Sequence, residues 1–147
     1  MRAVLTRVRS ASVTIDGHVN GSIGRGFLIL LGVGPNDTER ECRYLAEKAL
    51  GLRVFEDENG KMNLSVKDIQ GELLVVSQFT LAGDTRKGTR PSFDTAMPPQ
   101  EAEIMYENFV KLISESGLTV KTGKFGAMMD VALINDGPVT FILEKRN

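Results

Sequence analysis

The sequence predicts one compact domain of the α/β class, with α+β left open, in which a mixed or largely antiparallel β-sheet curls around two main helices. Many short apolar or alternating runs are separated by Gly, Pro, Asn and Asp residues, which is typical of strands and turns. Two longer segments repeat apolar residues at helical spacing instead. The length of 147 residues fits a single domain, and no linker or internal repeat divides the chain.

The composition excludes several classes of protein. Apolar residues make up 41% and charged residues 25% of the chain, which is the ordinary globular range. Because the net charge is −1, any RNA must be bound by a local basic surface and not by the chain as a whole. Cys42 is the only cysteine, which predicts a reducing compartment. The N-terminus lacks a signal-peptide pattern and no apolar run spans a bilayer, so we expect a cytoplasmic protein without a membrane partner.

The first part of the chain predicts strands joined by short turns. We expect these strands over residues 2–9, 11–15, 19–23 and 27–33. Residues 16–18 and 24–26 are rich in Gly and Asp and predict the turns between the later strands. The run 27–33 is nearly all apolar, which indicates a central strand buried on both faces of the sheet.

A helix is predicted after this central strand. Thr38 and Glu41 have the spacing of a capping box, and Gly51 is placed to end the helix. Cys42 falls on the apolar stripe of the helix, so we interpret it as a small core residue and not as a nucleophile. Residues 32–34 contain two glycines but lack the third glycine of a dinucleotide fingerprint, and they predict only a strand-to-helix turn.

The middle of the chain predicts two strands and a second helix. Residues 53–55 predict a short strand, and residues 72–76 predict a second buried central strand. The acidic run 56–61 predicts a solvated loop, because no partner ligands suggest a metal site. The second helix is expected to begin near Pro99 and to end at Gly117. Its apolar face consists of Ala102, Met105, Tyr106, Phe109, Leu112 and Ile113.

The last part of the chain predicts a β-hairpin. Strands are expected over residues 118–121, 131–134 and 141–143. Residues 135–140, Asn-Asp-Gly-Pro-Val-Thr, lie between the last two strands and predict a tight turn. Gly137 permits a close backbone approach, and the bond to Pro138 can adopt the cis form at little cost. A cis bond here would point two carbonyl oxygens in the same direction, towards a cation such as a substrate ammonium group.

Two short stretches carry a resemblance to a known family. Ser77-Gln78-Phe79-Thr80-Leu81 follows the buried strand 72–76, and Asn135-x-Gly137-Pro138-x-Thr140 occurs later in the chain. In this order, and in a chain of this length, they resemble the D-aminoacyl-tRNA deacylase family, which hydrolyses D-amino acids from mischarged tRNA. The resemblance covers essentially the whole chain, 1–147. It implies a compact α/β homodimer that acts on the aminoacylated 3′ end of tRNA, with no DNA partner.

The resemblance also implies how the substrate is selected. The cis peptide Gly137–Pro138 of one subunit enters the site of the other, receives the α-ammonium group and leaves no room for an L side chain. Glycine is not excluded, so glycyl-tRNA mischarged on tRNA(Ala) is a further expected substrate. Arg7 matches the arginine that orients this loop, and its alternative is a surface charge on an edge strand. Phe125 and Met129 match pocket-lining positions, and their alternative is core packing.

Elimination limits the chemistry that side chains can supply. A nucleophilic triad needs a histidine, and His18 lies in a predicted turn, where exposure is the common outcome. One cysteine and one histidine, far apart, do not make a zinc site, so we expect no metal and no cofactor. Thr80 has no visible base, which weakens it as a nucleophile; local backbone bonding is its alternative role. The predicted catalytic stretch is Ser77, Gln78, Phe79 and Thr80.

The resemblance implies that the tRNA itself assists the reaction. The 2′-hydroxyl beside the ester supplies the reacting or activating group, and backbone around Phe79 and Thr80 holds the ester or its oxyanion. Arg86, Lys87 and Arg90 lie in a glycine-flanked loop, which predicts either a solvated loop or phosphate contacts with tRNA. The competing hypothesis is a non-catalytic RNA- or nucleotide-binding module built on that loop. The polar stretch 77–80 after a buried strand favours the hydrolase.

Overall fold

The structure is a computed structural model that describes residues 1–146. Its helices are α1 (Glu39–Gly51) and α2 (Pro99–Ser114), and a single 3-10 turn covers Phe79–Ala82. Its strands are β1 (Arg2–Ile15), β2 (His18–Ile23), β3 (Gly26–Gly32), β4 (Phe55–Glu56), β5 (Met62–Leu64), β6 (Glu72–Ser77), β7 (Val120–Thr122) and β8 (Asp130–Glu144). Neither helix in this range is long and apolar enough to cross a membrane.

The sheet is organised around β1. One edge of β1 pairs with β8 along nearly its whole length, and the other edge pairs first with β3 and then with β2, all antiparallel. Strand β6 joins β3 in parallel, and β7 joins β6 in parallel. Strands β4 and β5 form a separate two-stranded sheet. This mixed sheet with two helices confirms the predicted fold class.

The main core lies between the sheet and the two helices. Large side chains that are fully buried there include Leu5, Phe27, Ile29, Leu73 and Phe109. Tyr106 of α2 is also buried, and its hydroxyl donates a hydrogen bond of 2.8 Å to the backbone oxygen of Val75 in β6. A polar tip that finds a backbone acceptor is the usual condition for burying a tyrosine, and here it fixes α2 over β6.

A second, smaller core fills the opposite face because the sheet curls. It contains Val8, Val13, Leu28, Leu74 and Val76. The curl brings β2 against β7, where the Asn20 side chain donates a 2.8 Å hydrogen bond to the backbone oxygen of Thr122. Gly21 sits at this closure, since a Cβ atom on it would lie 3.0 Å from the same oxygen. The right-handed twist of strands favours such curling, and the small residue permits it.

Several elements confirm the sequence-based predictions. Strands β3 and β6 are central and largely buried, as the apolar runs indicate. Thr38 and Glu41 form the predicted capping box, with a 2.8 Å bond from the Thr38 amide to the Glu41 carboxylate, and α1 ends at Gly51. Cys42 is fully buried on α1, and burial raises the pKa of its thiol to about 11. It is therefore a core residue and not a nucleophile.

Two strand predictions are wrong in an informative way. Residues 2–9 and 11–15 are one strand, β1, with irregular register near Val8. The predicted hairpin at 131–143 is also a single strand, β8, which pairs with β1 on both sides of residues 136–139. Its segment 131–134 is exposed instead of buried. Because β1 offers a continuous partner, the turn-forming residues make a bulge within one strand instead of reversing the chain.

Candidate active site

Residues 136–139 bulge out of β8 opposite a buried arginine. Thr6 pairs with Thr140 and Val8 pairs with Asn135, so the single residue Arg7 faces the whole bulge. The Arg7 guanidinium donates to the backbone oxygen of Asp136 at 3.0 Å and to that of Val54 at 2.6 Å. Its exposed fraction is 4%. The alternative of a surface charge is therefore wrong, and Arg7 ties the bulge to the segment before β4.

The bulge is closed by bonds within the motif itself. The Asn135 side-chain oxygen accepts from the Val139 amide at 2.9 Å, and the Asn135 side-chain nitrogen donates to the Thr140 hydroxyl at 3.2 Å. These contacts explain why Asn and Thr occupy the two ends of the stretch. A short side chain with both a donor and an acceptor can replace the ladder bonds that β1 cannot supply there.

Gly137 is required by its conformation and by the space around it. Its φ of +134° lies in a region that L side chains rarely adopt. A Cβ atom on Gly137 would lie 2.6 Å from a methyl carbon of Val139 and 3.1 Å from the Arg7 guanidinium. The bond to Pro138 is cis, as the sequence-based prediction expects, and both residues are exposed. The bulge thus presents its main chain to solvent.

The stretch 77–80 leaves the carboxyl end of β6. The Gln78 amide donates a 2.8 Å bond to the Leu31 backbone oxygen of β3, which continues the parallel pairing by one residue. The chain then enters the 3-10 turn Phe79–Ala82. Gly32 lies beneath it, since a Cβ atom there would be 2.8 Å from the Leu81 Cβ. The backbone N–H groups of Phe79 and Thr80 open this turn, where helical residues have no partner inside the turn.

The Thr80 hydroxyl contacts an amide and not a base. Its hydrogen-bond partner is the side-chain nitrogen of Gln78, a neutral donor that cannot remove a proton. His18 lies at the start of β2, at the β1–β2 hairpin. Within residues 1–146 no group of His, Cys, Asp and Glu is arranged to hold a metal ion. The side chains of this stretch can therefore position a reacting group, but they do not activate Thr80 as a nucleophile.

An exposed aromatic pair lies beside Thr80, and sequence reasoning found only one member. Phe79 is 59% exposed, and its ring centroid lies 5.2 Å from that of Phe93. Gly83 permits this contact, because a Cβ atom on it would lie 3.1 Å from the Phe93 ring. A lone phenylalanine in the polar loop 91–95 is the signal that could have identified Phe93. Exposed rings of this kind can stack on an unpaired nucleic-acid base.

The two signature stretches do not meet within one chain. In the sheet register Ser77 pairs with Leu31 of β3, and Leu31 pairs with Ala3 of β1. The bulge lies opposite Arg7, four residues further along β1. Four residues along β1 correspond to about 13 Å, and the three strand spacings from β8 to β6 add about 14 Å sideways. The bulge and the stretch 77–80 are therefore roughly 20 Å apart in the monomer.

The remaining predicted residues lie at separate places. Phe125 follows β7 on the side of the sheet where β6 ends, and its ring packs 5.9 Å from Tyr106 on the helix side. Met129 packs against the second core on the opposite face. Both are partly buried, so each has the core contacts of the alternative interpretation, and their pocket-lining role stays a prediction. Arg86, Lys87 and Arg90 are exposed on the loop that follows the 3-10 turn.

Comparison with known proteins identifies the family. The family model described as D-Tyr-tRNA(Tyr) deacylase matches residues 4–144. A D-aminoacyl-tRNA deacylase from Desulfatibacillum aliphaticivorans is 59% identical over 146 residues, covering 99% of this chain and 100% of the relative. Another from Geobacter sulfurreducens is 58% identical over 147 residues, covering 100% of this chain and 97% of the relative.

Solved structures agree on the fold. One described as c-Myc DNA Unwinding Element Binding Protein has a TM-score of 0.94 and 47% identity, and the match covers both chains completely. One described as "a probable eukaryotic D-amino acid tRNA deacylase" has a TM-score of 0.84 at 16% identity over 97% of each chain. The domain is thus of the deacylase class by sequence, and its fold agrees with these solved structures. The chain belongs to the D-Tyr-tRNA(Tyr) deacylase family, which confirms the resemblance carried by residues 77–81 and 135–140.

Arg7 and Arg9 offer a matched test of how the bulge is held. Arg7→Gln removes a buried guanidinium, so the backbone oxygens of Val54 and Asp136 lose their hydrogen bonds from it. This loss should lower the free energy of unfolding by roughly 1–3 kcal/mol. Arg9 also lies 3.5 Å from the Asp136 carboxylate but is 72% exposed, so Arg9→Gln should cost less than about 1 kcal/mol. Urea unfolding of both variants measures the difference, and equal losses would contradict the anchoring role.

Proposed function

We propose that this protein hydrolyses the ester bond of D-aminoacyl-tRNA and releases the free D-amino acid and tRNA. The observation that carries the proposal is the full-length match to relatives named D-aminoacyl-tRNA deacylase. The site is consistent with an enzyme whose substrate supplies part of the chemistry, because the stretch 77–80 offers hydroxyl, amide and backbone groups only.

The active site is formed by two copies of the chain. The main support is that residues 77–80 and the bulge 136–139 are roughly 20 Å apart in the monomer, too far to contact one substrate carbon together. Because β8 is a single strand, residues 136–139 form a bulge in the sheet and not the tip of a hairpin. A second support is the unpaired outer edge of β8, where the exposed apolar residues are Val131, Leu133, Ile134 and Ile142. Such an edge is commonly covered by another chain.

The bulge selects the configuration at the α-carbon. On this proposal, main-chain oxygens of Gly137 and Pro138 from one subunit receive the α-ammonium group bound beside Thr80 of the other. An L side chain would then collide with the bulge, whereas a D side chain points away from it. Glycine has no side chain to exclude, so glycyl-tRNA mischarged on tRNA(Ala) is also accepted. Support comes from the exposed main chain of the bulge and its attachment to the buried Arg7.

The tRNA assists its own deacylation. The 2′-hydroxyl next to the ester activates a water molecule, which attacks the ester carbonyl; the bond to the 3′ oxygen breaks and that oxygen takes up a proton. Backbone N–H groups of Phe79 and Thr80 stabilise the oxyanion that forms during the attack. This assignment is supported by the neutral partner of the Thr80 hydroxyl, which gives Thr80 no base. Arg86, Lys87 and Arg90 contact tRNA phosphates.

Non-catalytic binding of nucleic acid is the second candidate. One similar solved structure is described as a DNA Unwinding Element Binding Protein, and the exposed basic loop of this chain gives such a function a surface. We still expect tRNA and not DNA as the partner, and the pair of signature stretches favours hydrolysis. Ester loss from D-aminoacyl-tRNA, measured with duplex DNA as a competitor, separates the two candidates.

The two-subunit site can be tested with a matched pair of surface substitutions. Ile142 on β8 is 68% exposed and Ile104 on α2 is 69% exposed, so neither supports the core of the monomer. Ile142→Arg should place a charge in the subunit interface, which shifts sedimentation to the monomer and lowers D-aminoacyl-tRNA hydrolysis in parallel. Ile104→Arg should leave both unchanged. Full activity in a sedimenting monomer would refute the shared site.

Chirality is tested at Gly137. In Gly137→Val the new side chain would collide with Val139, so the bulge must move and D-aminoacyl-tRNA hydrolysis should fall strongly. Gly60→Val is the control, because Gly60 also has a positive φ but has open space around it. The substrates are tRNA esters of D-Tyr, D-Phe, D-Asp and glycine beside the L forms. The wild type should hydrolyse every D-aminoacyl ester and the glycyl ester. Activity confined to one D side chain would contradict the main-chain filter, and so would full discrimination between D and L esters in Gly137→Val.

The role of the 2′-hydroxyl is tested against that of Thr80. Thr80→Ala should retain measurable hydrolysis, because its hydroxyl is not the nucleophile. A tRNA that ends in 2′-deoxyadenosine and is charged at the 3′ position should react at least about a hundredfold more slowly, since the assisting hydroxyl is absent. Single-turnover kinetics with both substrates measures this. The opposite pattern, a dead Thr80→Ala with normal turnover of the deoxy substrate, would restore a threonine nucleophile.

A further inference from the structure

A cleft of about 510 Å³ lies directly after the stretch 77–80. One wall begins at Leu81, the residue that follows Thr80, and continues to Arg86. The other walls come from the N-terminus, the loop after β3 and the end of β8. The volume is that of a small-ligand site, but the lining is rich in charged side chains. The stretch 77–80 is therefore directly followed by one wall of this cleft.

A single carboxylate draws two arginines together at the cleft. One oxygen of Glu144 accepts a 3.1 Å bond from Arg2 and a 2.7 Å bond from Arg146. The hydrogen bond from Arg146 has the largest effect and lowers the pKa of Glu144. Partial burial acts in the opposite direction, and the hydrogen bond from Arg2 lowers the pKa further, so the carboxylate stays ionised. Arg2 also donates a 3.2 Å bond to the backbone oxygen of Leu81. The two guanidinium groups are thus held beside the wall that leads to Thr80.

A third arginine is oriented from the other side of the cleft. Asp84 accepts bonds of 2.9 and 2.7 Å from the Arg86 guanidinium in a two-point contact. Hydrogen bonding from Arg86 lowers the pKa of Asp84 to about 2. Arg86 nevertheless has 84% of its side chain exposed, so the ion pair fixes its direction without covering it.

The charges of the cleft leave a net attraction for anions. The N-terminal ammonium is neutralised by Asp37 at 2.6 Å, where both groups are buried. Among residues 1–146, the three arginines of the lining then face two carboxylates, Glu144 and Asp84. Each guanidinium carries more N–H donors than these contacts use, and planar guanidinium groups suit phosphate oxygens. This local surplus contrasts with the net charge of −1 on the whole chain.

We propose that this cleft binds the phosphodiester backbone of the unpaired 3′ tail of the tRNA, with Arg2, Arg86 and Arg146 donating to its phosphates. The inference rests on the proposed function, because it is the position of the ester at Thr80 that brings the preceding nucleotides to Leu81. A phosphate chain matches the charge, and the cleft has room for more than one phosphate group. The tRNA-contacting surface thereby includes Arg2 and Arg146, which lie near the two ends of the chain in sequence, as well as the loop that carries Arg86.

The test uses Arg146→Gln, because Arg146 is 77% exposed and its loss should leave the fold intact. The control is Arg43→Gln on α1, an exposed arginine with a carboxylate partner that lies outside the cleft lining. With D-aminoacyl-tRNA, the KM of Arg146→Gln should rise roughly tenfold while kcat changes little, and the slope of log KM against log salt should fall by about 1. With a D-aminoacyl ester of adenosine, which has no phosphate, the change in KM should be much smaller. Arg43→Gln should match the wild type throughout.

A binding measurement keeps this inference separate from the proposed function. Uncharged tRNA and the same tRNA without its unpaired 3′ tail are titrated into wild-type protein and Arg146→Gln. The wild type should bind the complete tRNA more tightly, and Arg146→Gln should lose that preference. Three outcomes would each overturn the inference. The wild type could bind both tRNAs equally, or Arg146→Gln could raise the KM for the adenosine ester as much as the KM for tRNA. Arg146→Gln could also affect self-association alone. Absence of ester hydrolysis by the wild type would overturn the proposed function instead.

Discussion

The pairing of β1 with three strands is the constraint on which the rest of the structure depends. Strand β8 follows one edge of β1 from Arg2 to Thr14, while β3 and β2 divide the other edge between them. The register on the β8 side shifts twice near the middle, once on each side of Val8, and Arg7 lies at the first shift. Because a buried guanidinium must find acceptors, it takes the backbone oxygens of Asp136 and Val54. The bulge is therefore held from within the domain and not only by its own turn residues.

The same register determines what one chain cannot do alone. Parallel pairing of β6 with β3 brings the stretch 77–80 to the end of the sheet where β1 begins, whereas the bulge stays near the middle of β1. No change of side-chain rotamer can close a gap of roughly 20 Å between main-chain segments in a packed sheet. On the proposed function, a site that uses both stretches requires a second copy, and we expect that copy to bind at the outer edge of β8, which has exposed apolar residues.

Local patterns in the sequence predict much of the fold, and the site residues that they point to stay a prediction. The apolar runs of β3 and β6, the capping box of α1 and the start of α2 at Pro99 all depend on neighbouring residues and were predicted. The shape of residues 135–140 was not, because a bulge and a hairpin use the same turn-forming residues. What separates them is the partner strand, and Arg7 lies 129 residues away from Asp136.

The cleft beside the site could not be predicted from the sequence, for the same physical reason. Its arginines come from the first strand, from the loop after the 3-10 turn and from the residues after β8. Each looks like an ordinary surface charge in its own segment, and only the pairing of β1 with β8 brings Arg2 to Glu144. The basic loop 83–90 was recognisable because its charges are neighbours in sequence.

On the proposed function, the anchoring of the bulge and the use of main-chain atoms for selection depend on each other. A filter made of backbone contacts the substituents common to every amino acid, so it can reject the L configuration without recognising any side chain. Its discrimination is steric, and a displacement of about 1 Å is enough to lose much of it. A flexible hairpin tip would move that far, whereas a bulge tied to a buried arginine and closed by Asn135 and Thr140 is held in place. Rigidity at Gly137 is therefore part of the specificity, and Arg7 is a positioning residue for it.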